Sequence, residues 1–318
     1  MRTKVFIDGE HGTTGLQIRK RLALRDDLDI LSIPLEKRHD LSARLERLNS
    51  SDIAILCLPD DAAIETVNAL SANHKLRIID SSTAHRVSSD WVYGFAELTK
   101  GQPERIKSAR LVANPGCYPT GALSLIRPLR EAGIIDENYP VSINAVSGYT
   151  GGGKKMIGQM ENPSGDDGIF ANYFIYGLNL KHKHITEIRF HGQLAQSPVF
   201  VPSVGRFPQG MIVNLPLHNS LLTKTVTAQN LRDIFNMHFQ NNKIVSVASE
   251  EENSKLARLD AELLANTDKL KIFVFGDDSN GIFNLCAVLD NLGKGASGAA
   301  VQNLDLMIGK TVVNSNLE

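Results

Sequence analysis

The chain has 318 residues, 42% hydrophobic and 22% charged, with a formal net charge of −1; this suits two globular domains and excludes a charge-driven partner such as nucleic acid or an anionic membrane. No run approaches the roughly 18 apolar residues of a membrane helix, and the start, MRTKVFIDGEHG, reads as a first strand whose apolar stretch is too short for a signal peptide. Three widely spaced cysteines offer neither a disulfide framework nor a CxxC zinc pair, so a reducing, cytoplasmic setting is expected, where a thiol can be kept for chemistry.

In chain order, the apolar run KVFID (4–8) leads through a glycine loop into the helix candidate TGLQIRKRLALR. DILSIPL (29–35) precedes SARLERLNS, DIAILCLP (52–59) precedes AAIETVNALSAN, and RIIDSS (77–82) and RLVANPG (110–116) follow. Continuous apolar strands separated by crossover helices predict a doubly wound, parallel-sheet, Rossmann-like α/β domain over 1–116. After residue 140 the pattern changes. VSINAVSG, ITEIRFHGQLAQ, PVFVPSV and MIVNLPLH read as strands, interrupted by one clear helix carrying Leu231, Ile234, Phe235 and His238. KIFVFG and IFNLCAVLDN follow, separated by the turn DDSNG. Residues 117–294 are therefore expected to form an α+β domain with a largely antiparallel mixed sheet. A last amphipathic helix within 295–318, with Ala300, Leu304, Met307 and Ile308, is expected to join the first domain.

Gly9, Gly12 and Gly15 follow the first strand directly and open the first helix. Glycines there permit a tight turn and close backbone approach, and free N–H groups at a helix N-terminus hold a pyrophosphate. Thr13 and Thr14 add hydroxyl donors. After the second strand, Glu36 points to NAD through the ribose hydroxyl, whereas Lys37 and Arg38 point to NADP through a 2′-phosphate; the reading leans to NADP(H).

Cys57 and Cys286 lie in apolar strand runs and read as small buried hydrophobes. Cys117, in Asn114-Pro115-Gly116-Cys117-Tyr118-Pro119-Thr120-Gly121, leaves a strand and enters a helix with an apolar stripe of Ala122, Leu125, Ile126 and Leu129. Unpaired N–H groups at that helix start favour the thiolate, and the carboxyl end of a parallel strand is where such folds bind ligands. Arg86, after the strand RIIDSS, is placed to clamp a phosphate or carboxylate, with Ser81 and Ser82 as further contacts to cofactor or phosphate. SGYTGGGKK (147–155) reads as a mobile loop in which Ser147, the backbone amides and Lys154 or Lys155 face phosphate or cofactor; a plain hairpin is the alternative.

These segments together resemble the N-acetyl-γ-glutamyl-phosphate reductases, in their short form. The likeness rests on ANPGCYPTG (113–121), GEHGTTGLQI (9–18), DSSTAHR (80–86), YGFAEL (93–98), SGYTGGGKK, HKHITEI (182–188) and DNLGKGASGAAVQN (290–303), in the family's order. The resemblance implies NADPH-dependent reduction of a small-molecule acyl phosphate, N-acetyl-γ-glutamyl phosphate, in arginine biosynthesis. It also implies a homodimer or homotetramer built through the second domain. In that chemistry Cys117 forms a thioester, and a general acid–base group is needed. The family's histidine segment matches His182 and His184, which on an extended chain would face one side; either can be the acid–base. Glu187 would orient a ring or contact the substrate amide, and Asn291 would lie near the nicotinamide. Arg206 departs from the family's arrangement and is left without a role. No metal is expected, since thiol chemistry needs none. The alternatives are an aspartate-semialdehyde dehydrogenase, and a non-catalytic NADP-sensing module.

Overall fold

The computed structural model describes residues 2–70 and 75–310; the end of the helix candidate AAIETVNALSAN and everything after residue 310 lie outside them. The chain divides into two compact units, one of Met1–Ala96, Gly101–Gly116 and Ala296–Glu318, the other of Glu97–Lys100 and Cys117–Gly295.

The first unit runs β1 (Thr3–Asp8), α1 (Thr13–Leu22), β2 (Leu28–Leu31), α2 (Leu41–Asn49), β3 (Ile53–Leu56), α3 (Asp60–Ala69), β4 (Arg77–Asp80), β5 (Val92–Tyr93), α4 (Gln102–Ser108) and β6 (Leu111–Ala113). Its six strands are all parallel, in the order β2-β1-β3-β4-β6-β5. The continuous apolar runs explain this arrangement: Val5, Phe6 and Ile7, like Ile53 to Leu56, are buried, which requires cover on both faces of the sheet. The chain builds outward to β2 and then returns to the other side of β1 at β3. The crevice at this reversal is where such sheets take ligands, and the Gly9–Gly15 loop starts there. Arg44 of α2 fastens the end of β1, donating from Nε and Nη2 to the buried Asp8 carboxylate at 2.8–3.0 Å and from Nη2 to the Thr66 hydroxyl.

The second unit runs α5 (Cys117–Glu131), β7 (Ser142–Gly148), α6 (Gly153–Glu161), β8 (Tyr173–Ile175), α7 (His184–His191), β9 (Val199–Gly205), β10 (Met211–His218), α8 (Ala228–His238), β11 (Val245–Val247), α9 (Glu250–Ser254), β12 (Leu270–Asp277) and β13 (Ile282–Leu289). The seven strands order as β11-β12-β13-β10-β7-β9-β8, parallel at β11–β12 and β7–β9 and antiparallel at the other neighbours. β10 buries Met211, Val213, Leu215 and Leu217, the period-two pattern of a strand with one face on the core. α5 covers that face, and Gly121 permits the close approach, because a Cβ there would stand 2.6 Å from Val213 Cγ2. A π-helical turn, Gly293–Ser297, leads into α10 (Gly298–Met307).

Four expectations change. ITEIRFHGQLAQ does not form a strand: its first half is α7, where His184, Ile185, Glu187 and Ile188 are buried. Those positions share one face at 3.6 residues per turn, whereas alternation would have paired Ile185 with Glu187 and opposed both to Ile188. Four helices follow residue 140 in this unit instead of one. SGYTGGGKK closes β7, makes a 3₁₀ turn over Tyr149–Gly152 and opens α6, so it is structured throughout. Finally, α10 is not amphipathic. Nine of its ten residues are buried, and its polar Asn303 spends its Nδ2 donors internally, on Gly94 O at 2.9 Å and Asn114 Oδ1 at 3.0 Å.

Candidate active site and cofactor loop

Cys117 is the first residue of α5, where the first four N–H groups of a helix lack intrahelical acceptors and stabilise an anion. Pro119 sits in the opening turn, where its missing N–H costs nothing. Among the side chains gathered around Cys117, Tyr118 donates its hydroxyl to Ser203 O at 2.8 Å and packs edge-on against Phe200, with centroids 5.2 Å apart. Its ring lies 6.2 Å from that of His182 and 5.9 Å from that of His184. Burial pushes the Tyr118 phenol far above its ordinary range and Tyr176 up to about 12; negative charge on Cys117 adds to both rises, so both hydroxyls lie within electrostatic reach of the thiol. Ser147, whose hydroxyl donates to Gly148 O at 3.0 Å, eases the Tyr118 shift.

The histidine pair is brought together by a turn into a helix, not by strand alternation. His184 opens α7, and the two rings stand 4.7 Å apart. The backbone N–H of His184 donates to His182 Nδ1 at 3.1 Å, and His182 Nε2 lies 3.3 Å from the Tyr176 hydroxyl. Burial, reinforced by the Lys183 charge and opposed by Glu187, brings His182 down to about 4. The ring is therefore neutral at physiological pH. Its Nδ1 acts as acceptor, which leaves the proton on Nε2, facing Tyr176. His184 and Glu187 are both buried on the same face of α7.

Asn291 is anchored at both ends of its amide. Oδ1 accepts the Gly210 N–H at 2.9 Å and Nδ2 donates to Thr150 Oγ1 at 3.0 Å, tying the 3₁₀ turn after β7 to the start of β10. Lys154 is exposed in the first turn of α6. Arg206 staples the 160–171 segment, donating to Met160 O at 2.6 Å, to Ile169 O and to Ala171 O at 3.2 Å.

In the first unit, Gly9 has φ +85°, and a Cβ there would overlap the Cys57 carbonyl oxygen; a Cβ at Gly15 would overlap Gly9 O. Gly12 is the N-cap of α1 and supplies no side-chain cap, so the amides of Thr13 and Thr14 in its first turn are open to an anion. This backbone cradle, closed to any side chain, fits a dinucleotide pyrophosphate. Lys37 and Arg38 are exposed just beyond β2, with Arg38 Nε 3.1 Å from His39 Nε2. Ser81 ties β4 to β3 through its N–H to Leu56 O at 2.9 Å. Burial drives the Cys57 thiol up to about 12 and does the same to Cys286. Ser82 donates through N–H and Oγ to the fully buried Asp80. Arg86 is also buried, and its Nε and Nη2 donate to Asn114 O and Ser81 O at 2.9 and 3.0 Å. These two bonds brace the segment entering α5.

A family model described as the semialdehyde dehydrogenase dimerisation domain matches residues 117–291, and one for the semialdehyde dehydrogenase NAD binding domain matches 29–109. Aspartate semialdehyde dehydrogenase II of Vibrio cholerae, complexed with ASA, superimposes with a TM-score of 0.73 at 14% identity, over 97% of this chain and 98% of that one. The enzyme of Candida albicans with NADP gives 0.64 at 11%, over 98% and 100%. These likenesses show the fold. An N-acetyl-gamma-glutamyl-phosphate reductase of Brucella anthropi is 60% identical over 98% of this chain and 100% of its own length, and one of Brucella abortus is 59% identical over the same shares. The chain belongs to the N-acetyl-γ-glutamyl-phosphate reductase family of semialdehyde dehydrogenases. It is an oxidoreductase carrying a nicotinamide-dinucleotide-binding domain. Residues of this reductase that the sequence left without roles include Tyr176, in the aromatic run YFIY beside the site, and Ser203, which only the β9 register brings to Tyr118.

Proposed function

We propose that the enzyme reduces N-acetyl-γ-glutamyl phosphate to N-acetylglutamate semialdehyde and phosphate through a thioester on Cys117, with NADPH as cofactor. The shared name of relatives at 60% identity supports the substrate. The observation that carries the mechanism is the position of Cys117 at the first residue of α5, in reach of the Tyr118, Tyr176 and histidine cluster.

His184 takes the thiol proton, and the Cys117 sulfur bonds to the acyl carbon while the carbon–oxygen bond to phosphate breaks. The departing phosphate receives that proton. His182 is assigned to positioning, because its Nδ1 is occupied by the His184 N–H and its Nε2 proton faces Tyr176. NADPH, when bound, would supply the hydride that reduces the thioester carbonyl, leaving an oxyanion on the carbon that Cys117 holds. As the carbonyl re-forms on the Cys117-bound carbon, the carbon–sulfur bond breaks and the aldehyde leaves; His184, having taken up one proton from solvent, returns it to the Cys117 thiolate. The Glu187 carboxylate stabilises the positive charge that forms on the imidazole pair, and Ser147 with Lys154 faces the phosphate. Lys37 and Arg38 take the 2′-phosphate that distinguishes NADP. The dimerisation-domain match supports a homodimer or homotetramer.

The reaction is tested in reverse, with N-acetylglutamate semialdehyde, NADP and phosphate, beside aspartate semialdehyde. Phosphate-dependent formation of reduced cofactor with the acetylated aldehyde is expected. Turnover of aspartate semialdehyde alone would retain the chemistry and reject the substrate.

A further inference from the structure

The π-helical turn Gly293–Ser297 has no part in the chemistry above, yet π-turns inside helical segments are rare and concentrate at functional sites. Its Gly295 lies directly against the nucleophile: a Cβ there would stand 2.9 Å from Cys117 Cβ and 3.3 Å from Cys117 Cα. The turn is held from two sides. Asp290, fully buried, accepts the Leu292 and Gly293 N–H groups at 2.7 and 2.9 Å, and its own carbonyl accepts the Gly295 N–H at 2.9 Å. Between Gly293 and Gly295, Lys294 sends its side chain to Glu97, Nζ to Oε2 at 2.5 Å, with the two side chains 1% and 3% exposed.

A pair this deeply buried returns little of its desolvation cost as stability. What it supplies is a fixed geometry, at the residue next to the glycine that touches Cys117. We infer that Lys294 and Glu97 are positioning residues: their ion pair clamps the π-turn, and the backbone at Gly295 seats Cys117 at the start of α5, so that the thiol meets the acyl carbon in one orientation. This inference rests on the reading of Cys117 as the acylated nucleophile.

Removing one charge leaves the other buried without its ion-pair partner, and such a variant can fail to fold for that reason. The decisive variant is therefore Glu97→Gln/Lys294→Met, which removes both charges at near-constant volume. The reversed pair, Glu97→Lys/Lys294→Glu, serves as the rescue. Each is compared with wild type for thermal unfolding, for the rapid release of phosphate that accompanies acylation, and for kcat and KM. A folded double variant is expected, with KM within about twofold and with acylation and kcat lowered roughly 10- to 100-fold, the scale of a small misplacement of a reacting group. The reversed pair is expected to recover part of that loss. Wild-type acylation in the folded double variant overturns the inference, and so does a double variant that cannot fold, since the pair would then serve stability. A wild-type enzyme that shows no acyl group on Cys117 overturns the nucleophile itself, and this inference with it; equal acylation of wild type and double variant overturns the seat alone.

Discussion

The backbone N–H of His184 donates to Nδ1 of His182 at 3.1 Å. That one bond fixes the tautomer of the first ring and separates the duties of two histidines that the sequence left equivalent. Substituting His184 by alanine is expected to lower kcat by roughly 10²- to 10⁴-fold, the usual worth of an acid–base group. His182→Gln, which removes the Nδ1 acceptor of the His184 N–H but no proton-transfer group, should cost far less. Steady-state rates of the two variants, with KM measured alongside, decide it; equal losses would reject the assignment.

His182 also carries a pH signature. Its folded value of about 4 lies below the ordinary 6.5, so below pH 6.5 the unfolded chain binds a proton that the native ring refuses. Stability therefore falls as the pH drops from about 6.5 towards 4. Urea midpoints above and within that window should decline more for wild type than for His182→Gln.

Gly9 is expected to tolerate no side chain, having both a positive φ and the Cys57 carbonyl in the way. Gly9→Ala should destabilise the protein by about 1–3 kcal/mol and weaken dinucleotide binding. Chemical denaturation and cofactor fluorescence measure the two effects, and unchanged binding would remove the pyrophosphate from this loop.

Lys37 and Arg38 stand exposed past β2. Lys37→Ala/Arg38→Ala should raise the KM for NADPH on the order of tenfold while leaving NADH unaffected, as loss of charge-assisted contacts to a phosphate requires. Equal effects on both cofactors would place the 2′-phosphate elsewhere.

The first sheet was legible because its strands are buried on both faces, and a run such as DIAILCLP has few other ways to fold. MIVNLPLH matched β10 residue for residue, since alternation sorts Met211, Val213, Leu215 and Leu217 onto one face. α7 was not legible. It lasts 8 residues, has no side-chain cap and is rich in β-branched residues and histidine, and its helical period shows only when Ile185 and Ile188 are counted together. Short β5, β8 and β11 carry too few residues for any period. Around the site, the positions of Cys117 and the glycine loop could be read from local sequence. The partnership of Lys294 with Glu97 spans 197 residues, and Arg86 donates to the Asn114 and Ser81 carbonyls; both sets of contacts follow from tertiary packing, not from a local pattern.

The central claim is the covalent one, and it is tested most directly by mixing enzyme with N-acetyl-γ-glutamyl phosphate without cofactor, quenching rapidly, and measuring protein mass and released phosphate together. The account predicts an acyl adduct on Cys117 with matching release of phosphate, and neither in Cys117→Ser. Phosphate release without an adduct, or an adduct that persists in Cys117→Ser, would contradict it.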